Sequence, residues 1–248
     1  MTLQDFFTSH PKTAIAFSGG VDSAYLLYAA KKYAEEVRAY YVKSEFQPRF
    51  ELEDAVRLAQ DIGTDITVLE QSVFSVPQVA ENPADRCYHC KTAIFTAVMK
   101  AADADGFSVL LDGTNASDDA QDRPGMRALR ELSVRSPLRE CGLTKQEIRR
   151  LSKAAGLFTW NKPAYACLAT RISTGEKITT EKLKITELAE DYLFSLGFTD
   201  FRVRWQNGHA RLQLPEDQLY LLLEKREEIL THLKKYYKSI VLDLEVRK

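Results

Sequence analysis

The sequence predicts a doubly wound, mostly parallel α/β sheet followed by a small C-terminal α+β domain. Three observations predict it. Short β-like apolar runs alternate with helical patterns through about residue 156, the rhythm of βαβ units. The first run, Ala14-Ile-Ala-Phe17, passes through Ser18-Gly-Gly-Val-Asp-Ser23 straight into a helical pattern, and doubly wound sheets keep their ligand sites at such strand ends. After about residue 175 the alternation stops. A helix, a hairpin, a second helix and a last strand-like run follow. Two domains are therefore expected, 1–175 and 176–248.

Each element has its own signal. Ala14–Phe17 reads as the first strand and Val21–Tyr33 as its helix. Val37–Val42 and Asp65–Leu69 read as strands flanking the helix Phe50–Ile62. Tyr88–Ala102 is the next helix and Ser108–Asp112 the fourth strand. Thr144-Lys-Gln-Glu147 is a capping box that opens the helix Lys145–Ala155. Beyond residue 175, Thr180–Leu196 holds Leu183, Leu188, Tyr192 and Leu196 among its apolar positions and stops at Gly197. Phe201–Trp205 and Ala210–Leu214 flank Gln206-Asn-Gly-His209, a hairpin signal. Pro215, suited to a first turn, starts a helix reaching about Lys235. Lys238–Val246 ends the chain as a strand.

The 248 residues are 45% hydrophobic and 28% charged, with a net charge of −1. That composition gives ample core and implies no general nucleic-acid-binding surface. No apolar run approaches the roughly 18 residues needed to span a membrane. Met1–Phe7 lacks the pattern of a signal peptide. A cytoplasmic protein without nucleic-acid or membrane partners is expected, its four cysteines serving as thiols or ligands.

Ser18–Ser23 is the most informative stretch. Gly19 and Gly20 let the backbone bend tightly and approach an anion. The helix starting at Val21 offers unpaired N–H groups and a positive dipole end. Ser18 and Ser23 add hydroxyls. The string lacks the lysine and the wide glycine spacing of the Walker loop, and it is not the dinucleotide fingerprint. Ser44 and Asp112-Gly-Thr-Asn115 stand at the ends of neighbouring strands, on the same side.

Other constellations leave alternatives open. Cys87-Tyr-His-Cys90 at a helix start is half of a metal site, a redox pair or two structural thiols. Cys167, in Lys162-Pro-Ala-Tyr-Ala-Cys-Leu-Ala-Thr-Arg171, is the candidate third thiolate. His89 reads as a helix residue before a ligand, and Cys141 as structural. The polar loop Asp118–Gly125 would hold Mg²⁺, place Arg123 on a phosphate, or be solvated. Arg202 and Arg204 share one strand face and, with Arg211, form either a phosphate subsite or a solvated face.

Ser18–Ser23 resembles the PP-loop of the ATP pyrophosphatases, which split ATP between its α and β phosphates and leave an adenylated substrate. In order along the chain come Arg-Cys-Tyr-His-Cys-Lys at 86–91, Asp-Gly-Thr-Asn at 112–115, Asp-Arg-Pro-Gly at 122–125, Val-Arg-Ser-Pro-Leu at 134–138 and the segment around Cys167. Together they resemble the LarE family of ATP-dependent sulfur transferases over nearly the whole chain. Asn161 and Thr170 are mild departures, standing where Asp and Ser are expected.

The resemblance implies an adenine-nucleotide α-hydrolase-like fold and a substrate, pyridinium-3,5-biscarboxylic acid mononucleotide, a precursor of the nickel-pincer cofactor of lactate racemase. It assigns ATP and pyrophosphate to Ser18, Gly19, Gly20, Val21, Asp22, Ser23, Ser44, Gly113 and Arg123, and it implies Mg²⁺ without naming its ligands. It assigns the substrate phosphate to Arg171, Arg202 and Arg204. Cys87, Cys90 and Cys167 become the catalytic and metal-binding set, holding a [4Fe-4S] cluster that delivers sulfide. In single-cysteine members the equivalent of Cys167 gives up its own sulfur instead and becomes dehydroalanine. A homo-oligomer, a hexamer by resemblance, is expected. A PP-loop enzyme that thiolates tRNA, or an amide-forming ligase, is the alternative.

The chemistry is coherent. A carboxylate is a poor acyl donor because its leaving group would be oxide. Adenylation supplies a good leaving group, and the cradle stabilises the departing pyrophosphate. A thiolate or sulfide then attacks near neutral pH.

Overall fold

The computed structural model describes residues 1–118 and 124–247. It divides into two compact units: Met1–Val79 with Asp85–Lys162, and Ala80–Ala84 with Pro163–Lys248.

In the first unit β1 (Lys12–Ala16), β2 (Glu36–Lys43), β3 (Ile66–Glu70) and β4 (Leu110–Leu111) form a sheet of order β3-β2-β1-β4. Every neighbouring pair is parallel. The helices are α1 (Leu3–Ser9), α2 (Val21–Tyr33), α3 (Arg49–Ile62), α4 (Pro77–Ala80, at the division), α5 (Arg86–Ala104), α6 (Pro124–Glu131), α7 (Pro137–Glu140) and α8 (Lys145–Ala154). Side-chain alternation along the strands builds a core on each face. Ile15, Phe17, Ala39, Tyr41 and Leu111 pack with Leu26, Leu27 and Leu58 on one side. Ala14, Tyr40, Val42 and Leu110 pack with Phe95, Val98 and Met126 on the other. This is the predicted doubly wound parallel sheet. Its strand order reverses between β1 and β4, and ligands bind at such switch points. The fourth strand is shorter than expected; on its far edge Leu111 makes a parallel bridge to Arg135, with Asp112 N donating to Arg135 O at 2.9 Å.

The second unit holds α9 (Thr180–Ser195), β5 (Arg202–Gln206), β6 (His209–Gln213), α10 (Leu219–Glu224), α11 (Arg226–Leu233) and β7 (Ile240–Leu242). β5 and β6 are antiparallel, and β7 pairs parallel to β6. Asn207 and Gly208 turn the hairpin with φ of 50° and 85°, the pair of left-handed residues a two-residue turn requires. The long helix expected from Pro215 instead breaks at Lys225. Lys225 and Arg226 occupy the positions one turn before Ile229, where the buried stripe would have continued. The last strand shrinks to three residues, since Asp243 accepts from Gln213 and pairs with Arg211. The division falls at Lys162/Pro163, earlier than the boundary expected near 175. Residues 163–174 are drawn into the second unit by Arg202, which donates to Ala164 O, by the Arg171–Glu190 pair and by an Ile172–Trp205 bridge.

Candidate active site

The cradle follows directly from local sequence. Gly19 has φ 71°, a conformation that favours glycine, and a Cβ there would press on Ala55 at 3.2 Å. Gly20 is the N-cap of α2 and provides no side-chain cap, so the first-turn N–H groups are left to an external acceptor. Ser18 Oγ lies 3.1 Å from Ser23 Oγ, and Ser23 Oγ donates to Gly20 O at 3.2 Å. These hydroxyls brace the turn. Val21 is buried and fixes the helix start in the core.

Gly113 closes the cradle from β4. A Cβ at this position would meet Ser23 N at 2.9 Å and Ser23 Cα at 3.1 Å, so only glycine allows the backbone of this loop to touch the start of α2. Asp112 holds the loop, accepting from Ser136 Oγ at 2.6 Å and from Thr114 Oγ1. Asn115 Oδ1 accepts from Ser117 N, and Asp118 Oδ2 accepts from Asn115 N. Arg123 lies outside the described residues. Ser44 stands past the end of β2, where its hydroxyl donates to Gln47 Oε1 at 2.6 Å. It shapes its own turn.

Asp22 gives the cradle its charge. Lys145 Nζ reaches Asp22 Oδ2 at 2.5 Å. Among the described residues the other oxygen, Oδ1, is buried without a hydrogen-bond partner. Burial pushes the Asp22 carboxyl up, and Lys145 partly opposes this. A buried, unpartnered carboxylate oxygen beside a phosphate cradle suits a divalent cation, so this donor set fits Mg²⁺.

Cys87 and Cys90 occupy the first turns of α5, three residues apart and hence on one face. Cys87 is exposed and Cys90 half-buried. Arg86, itself buried, points Nη2 at Cys87 Sγ at 3.7 Å. His89 pairs with Asp85 at 3.4 Å, as a helix residue would. Tyr88 ties this turn to α6 through Glu131 at 2.7 Å and an Arg127 guanidinium over its ring at 3.6 Å. Cys141 is half-buried against the first core, which pushes its thiol up.

In the second unit, Cys167 is the N-cap of a short 3₁₀ turn, Leu168–Arg171. Its carbonyl accepts from Thr170 N at 3.0 Å and Thr170 Oγ1 at 2.8 Å. Arg171 is fully buried. It grips Glu190 through Nε at 2.8 Å and Nη2 at 3.0 Å, and donates to Ala166 O at 2.7 Å and Thr170 Oγ1 at 2.9 Å. Expected on the substrate phosphate, it is instead built into the chain around Cys167. Arg202 is buried and donates to Ala164 O and Phe201 O, each at 2.5 Å. Arg204 is half-buried and reaches Gln213 Oε1 at 2.6 Å and Thr170 O at 2.5 Å. Burial, then the neighbouring arginines, pushes Arg202 down to about 10 and lowers Arg204. Arg171 pairs with Glu190, Arg202 lies 3.8 Å from Asp200, and Arg202 and Arg204 both feel the charge of Arg171; three guanidiniums against two carboxylates suit an anion.

Among the described residues, no three His, Cys, Asp or Glu side chains are gathered as a metal-binding group. In chemistry the three thiols suit an iron–sulfur cluster.

Comparison with known proteins decides the family. The Asparagine synthase family model matches residues 7–138. An uncharacterized protein of Synechocystis is 38% identical over 88% of this chain and 81% of its own length. The pyridinium-3,5-bisthiocarboxylic acid mononucleotide synthase of Lactiplantibacillus plantarum is 30% identical over 94% of this chain and 86% of its own. The chain belongs to the LarE family. With its PP-loop domain it is an ATP-dependent sulfur transferase. A tRNA-specific 2-thiouridylase of Thermotoga is 26% identical, over 61% of this chain and 54% of that protein.

Three residues that contact candidate site residues or their turns are not singled out by the sequence pattern. Lys145 sits at the first position of α8, where the helix dipole disfavours a cation; that misfit was the signal. Glu190 interrupts the buried stripe Leu183, Thr186, Ala189 and Leu193, and a carboxylate there demands a buried partner. Asn82, in an Asn-Pro pair, gave only a turn signal.

Proposed function

We propose that this protein adenylates a carboxylate of pyridinium-3,5-biscarboxylic acid mononucleotide with ATP and then replaces the activated oxygen by sulfur. One observation carries the reading: the Ser18–Ser23 cradle, closed by Gly113, lies in a chain related along 94% of its length to a synthase named for the bisthiocarboxylic product. In the first step the carboxylate oxygen attacks the α-phosphorus of ATP, and pyrophosphate leaves. The N–H groups at the start of α2, with Ser18 and Ser23, bind the departing phosphates. Asp22 Oδ1 would hold Mg²⁺, which when bound neutralises charge on those phosphates. In the second step a sulfur nucleophile attacks the acyl carbon and AMP leaves. Arg202 and Arg204 hold the substrate phosphate; Arg171 and Glu190 shape the Cys167 turn.

Three cysteines favour delivery through a [4Fe-4S] cluster on Cys87, Cys90 and Cys167, which would leave one iron open to carry sulfide. Sacrifice of Cys167 is the rival within the same reaction. A sulfur nucleophile of either origin completes the second step. The thiouridylase similarity covers little more than half of those proteins, which, with the net charge of −1, favours a small-molecule substrate over tRNA. A homo-oligomer remains part of this reading through the family resemblance alone.

The test is anaerobic purification with iron and sulfide analysis, followed by reaction with ATP, Mg²⁺ and the mononucleotide. The expected result is a brown protein that forms AMP, pyrophosphate and a thiocarboxylated product. A colourless, iron-free protein that forms product while Cys167 becomes dehydroalanine would replace the cluster by sacrifice. Thiolation of tRNA with no thiocarboxylated mononucleotide would overturn the substrate.

A further inference from the structure

Asn82 is fully buried, far in sequence from the cradle, and in the left-handed region at φ 57°. Its Nδ2 donates to Ser173 O at 2.8 Å and Glu176 O at 3.1 Å, with Ile172 O at 3.5 Å. Its own carbonyl accepts from Gly175 N at 2.8 Å. Two residues earlier, Ala80 O accepts from Ile178 N at 2.8 Å. The segment Ala80–Ala84 is thereby stitched onto the turn 172–178, although chain on both sides of it belongs to the first unit.

The position demands this residue. Glycine and asparagine tolerate positive φ most readily, and only Asn or Gln carries an uncharged NH₂ with two donors. Asparagine alone satisfies both. Pro83 follows with its φ fixed, so the chain leaves the clamp stiffly.

The clamp acts on the segment that carries Cys167. Upstream of the held carbonyl of Ile172, the 3₁₀ turn Leu168–Arg171 leads directly back to Cys167. One side chain therefore holds the peptide leaving Cys167.

We propose that Asn82 is a positioning residue for the sulfur-insertion half of the reaction, holding the Cys167-bearing segment through the turn that follows it. This rests on the sulfur-transferase reading above. Adenylation draws on the cradle, which belongs to the first unit, whereas Asn82 and its carbonyl partners belong to the second. Insertion needs a sulfur atom held on a defined line to the acyl carbon, and small displacements are costly there.

The test uses the full-length protein with Asn82→Asp, Asn82→Gly and, as a control, Lys177→Ala, which removes only the rim pair with Glu81. Asn82→Asp sets a carboxylate against carbonyl oxygens; Asn82→Gly keeps the backbone conformation and loses the donors. Two rates are measured beside the thermal midpoint: mononucleotide-dependent ATP–pyrophosphate exchange, and formation of the thiocarboxylated product. The expected result is insertion slowed by about 10- to 100-fold in both Asn82 variants, exchange within about two-fold of wild type, and an unchanged control. Equal losses in both half-reactions, following the thermal midpoint, would show a purely structural role and overturn the proposal. Insertion at the wild-type rate in Asn82→Gly would overturn it as well. Wild-type protein inactive in both assays would refute the sulfur-transferase reading itself, a result distinct from either.

Discussion

Lys145 Nζ lies 2.5 Å from Asp22 Oδ2, binding the first turn of α8 to the phosphate cradle. A cation at a helix N-terminus works against the dipole, so the contact must be worth more than the misplacement costs. It holds one carboxylate oxygen of Asp22 and leaves the buried Oδ1 for a metal or a phosphate-bound cation.

Lys145→Met is expected to slow adenylation by about 10- to 100-fold and to move its acid limb to higher pH. The sign follows from the two influences on Asp22. Burial raises its pKa above the ordinary 3.8, and Lys145 opposes the rise. Removing the cation lets the pKa climb further, so the ionised form appears only at higher pH. For stability, a carboxyl with a raised folded pKa takes up protons on folding; its contribution is greatest below 3.8 and is lost as pH rises through the folded value. The pH profile of ATP–pyrophosphate exchange, with urea midpoints across the same range, checks both statements.

Gly113→Ala places a Cβ 2.9 Å from Ser23 N. Backbone, not a pliable side chain, must yield. The variant should lose about 1–3 kcal/mol of stability and bind ATP more weakly, as calorimetry with ATP and denaturant titration would show. Gly142→Ala, whose Cβ would meet nothing within 4 Å, is the comparison; its positive φ causes strain without touching the cradle.

Arg204→Gln should raise KM for the mononucleotide and leave KM for ATP unchanged, because its guanidinium belongs to the anion-attracting cluster of the second unit. Arg171→Met should behave differently. It strands the buried Glu190 carboxylate, so a loss of about 3–5 kcal/mol is expected, measured by denaturation. The pair Arg171→Met with Glu190→Leu should recover much of it.

Cys141→Ala should leave sulfur insertion and iron content unchanged, since its thiol is half-buried against the first core, where burial pushes it up. Cys87→Ala and Cys90→Ala made separately should each lower iron content if the cluster delivers sulfur.

Much of this molecule was written locally. A strand that alternates apolar residues on two faces needs a helix layer on each side, so Ile15 and Phe17 against Ala14 already implied the doubly wound sheet. Gly19, Gly20 and the hydroxyls of the cradle were legible because backbone curvature and an open helix N-terminus are properties of adjacent residues. The hairpin at Asn207-Gly208 was legible for the same reason. The C-terminal helix was misjudged at Lys225, where two charged residues interrupt a stripe whose neighbours alone look helical.

By itself, then, the sequence determined the sheet, the cradle and the list of thiols, since each rests on contacts within a few residues or on a periodic pattern. Tertiary structure decided the use of each charged group. It turned Arg171 inward onto Glu190, nineteen residues away, set Lys145 on Asp22 across 123 residues, and clamped Asn82 to Ser173 across 91. A buried charge or amide takes whichever partner the packed chain brings within hydrogen-bond reach, and chain order alone does not encode which partner that is.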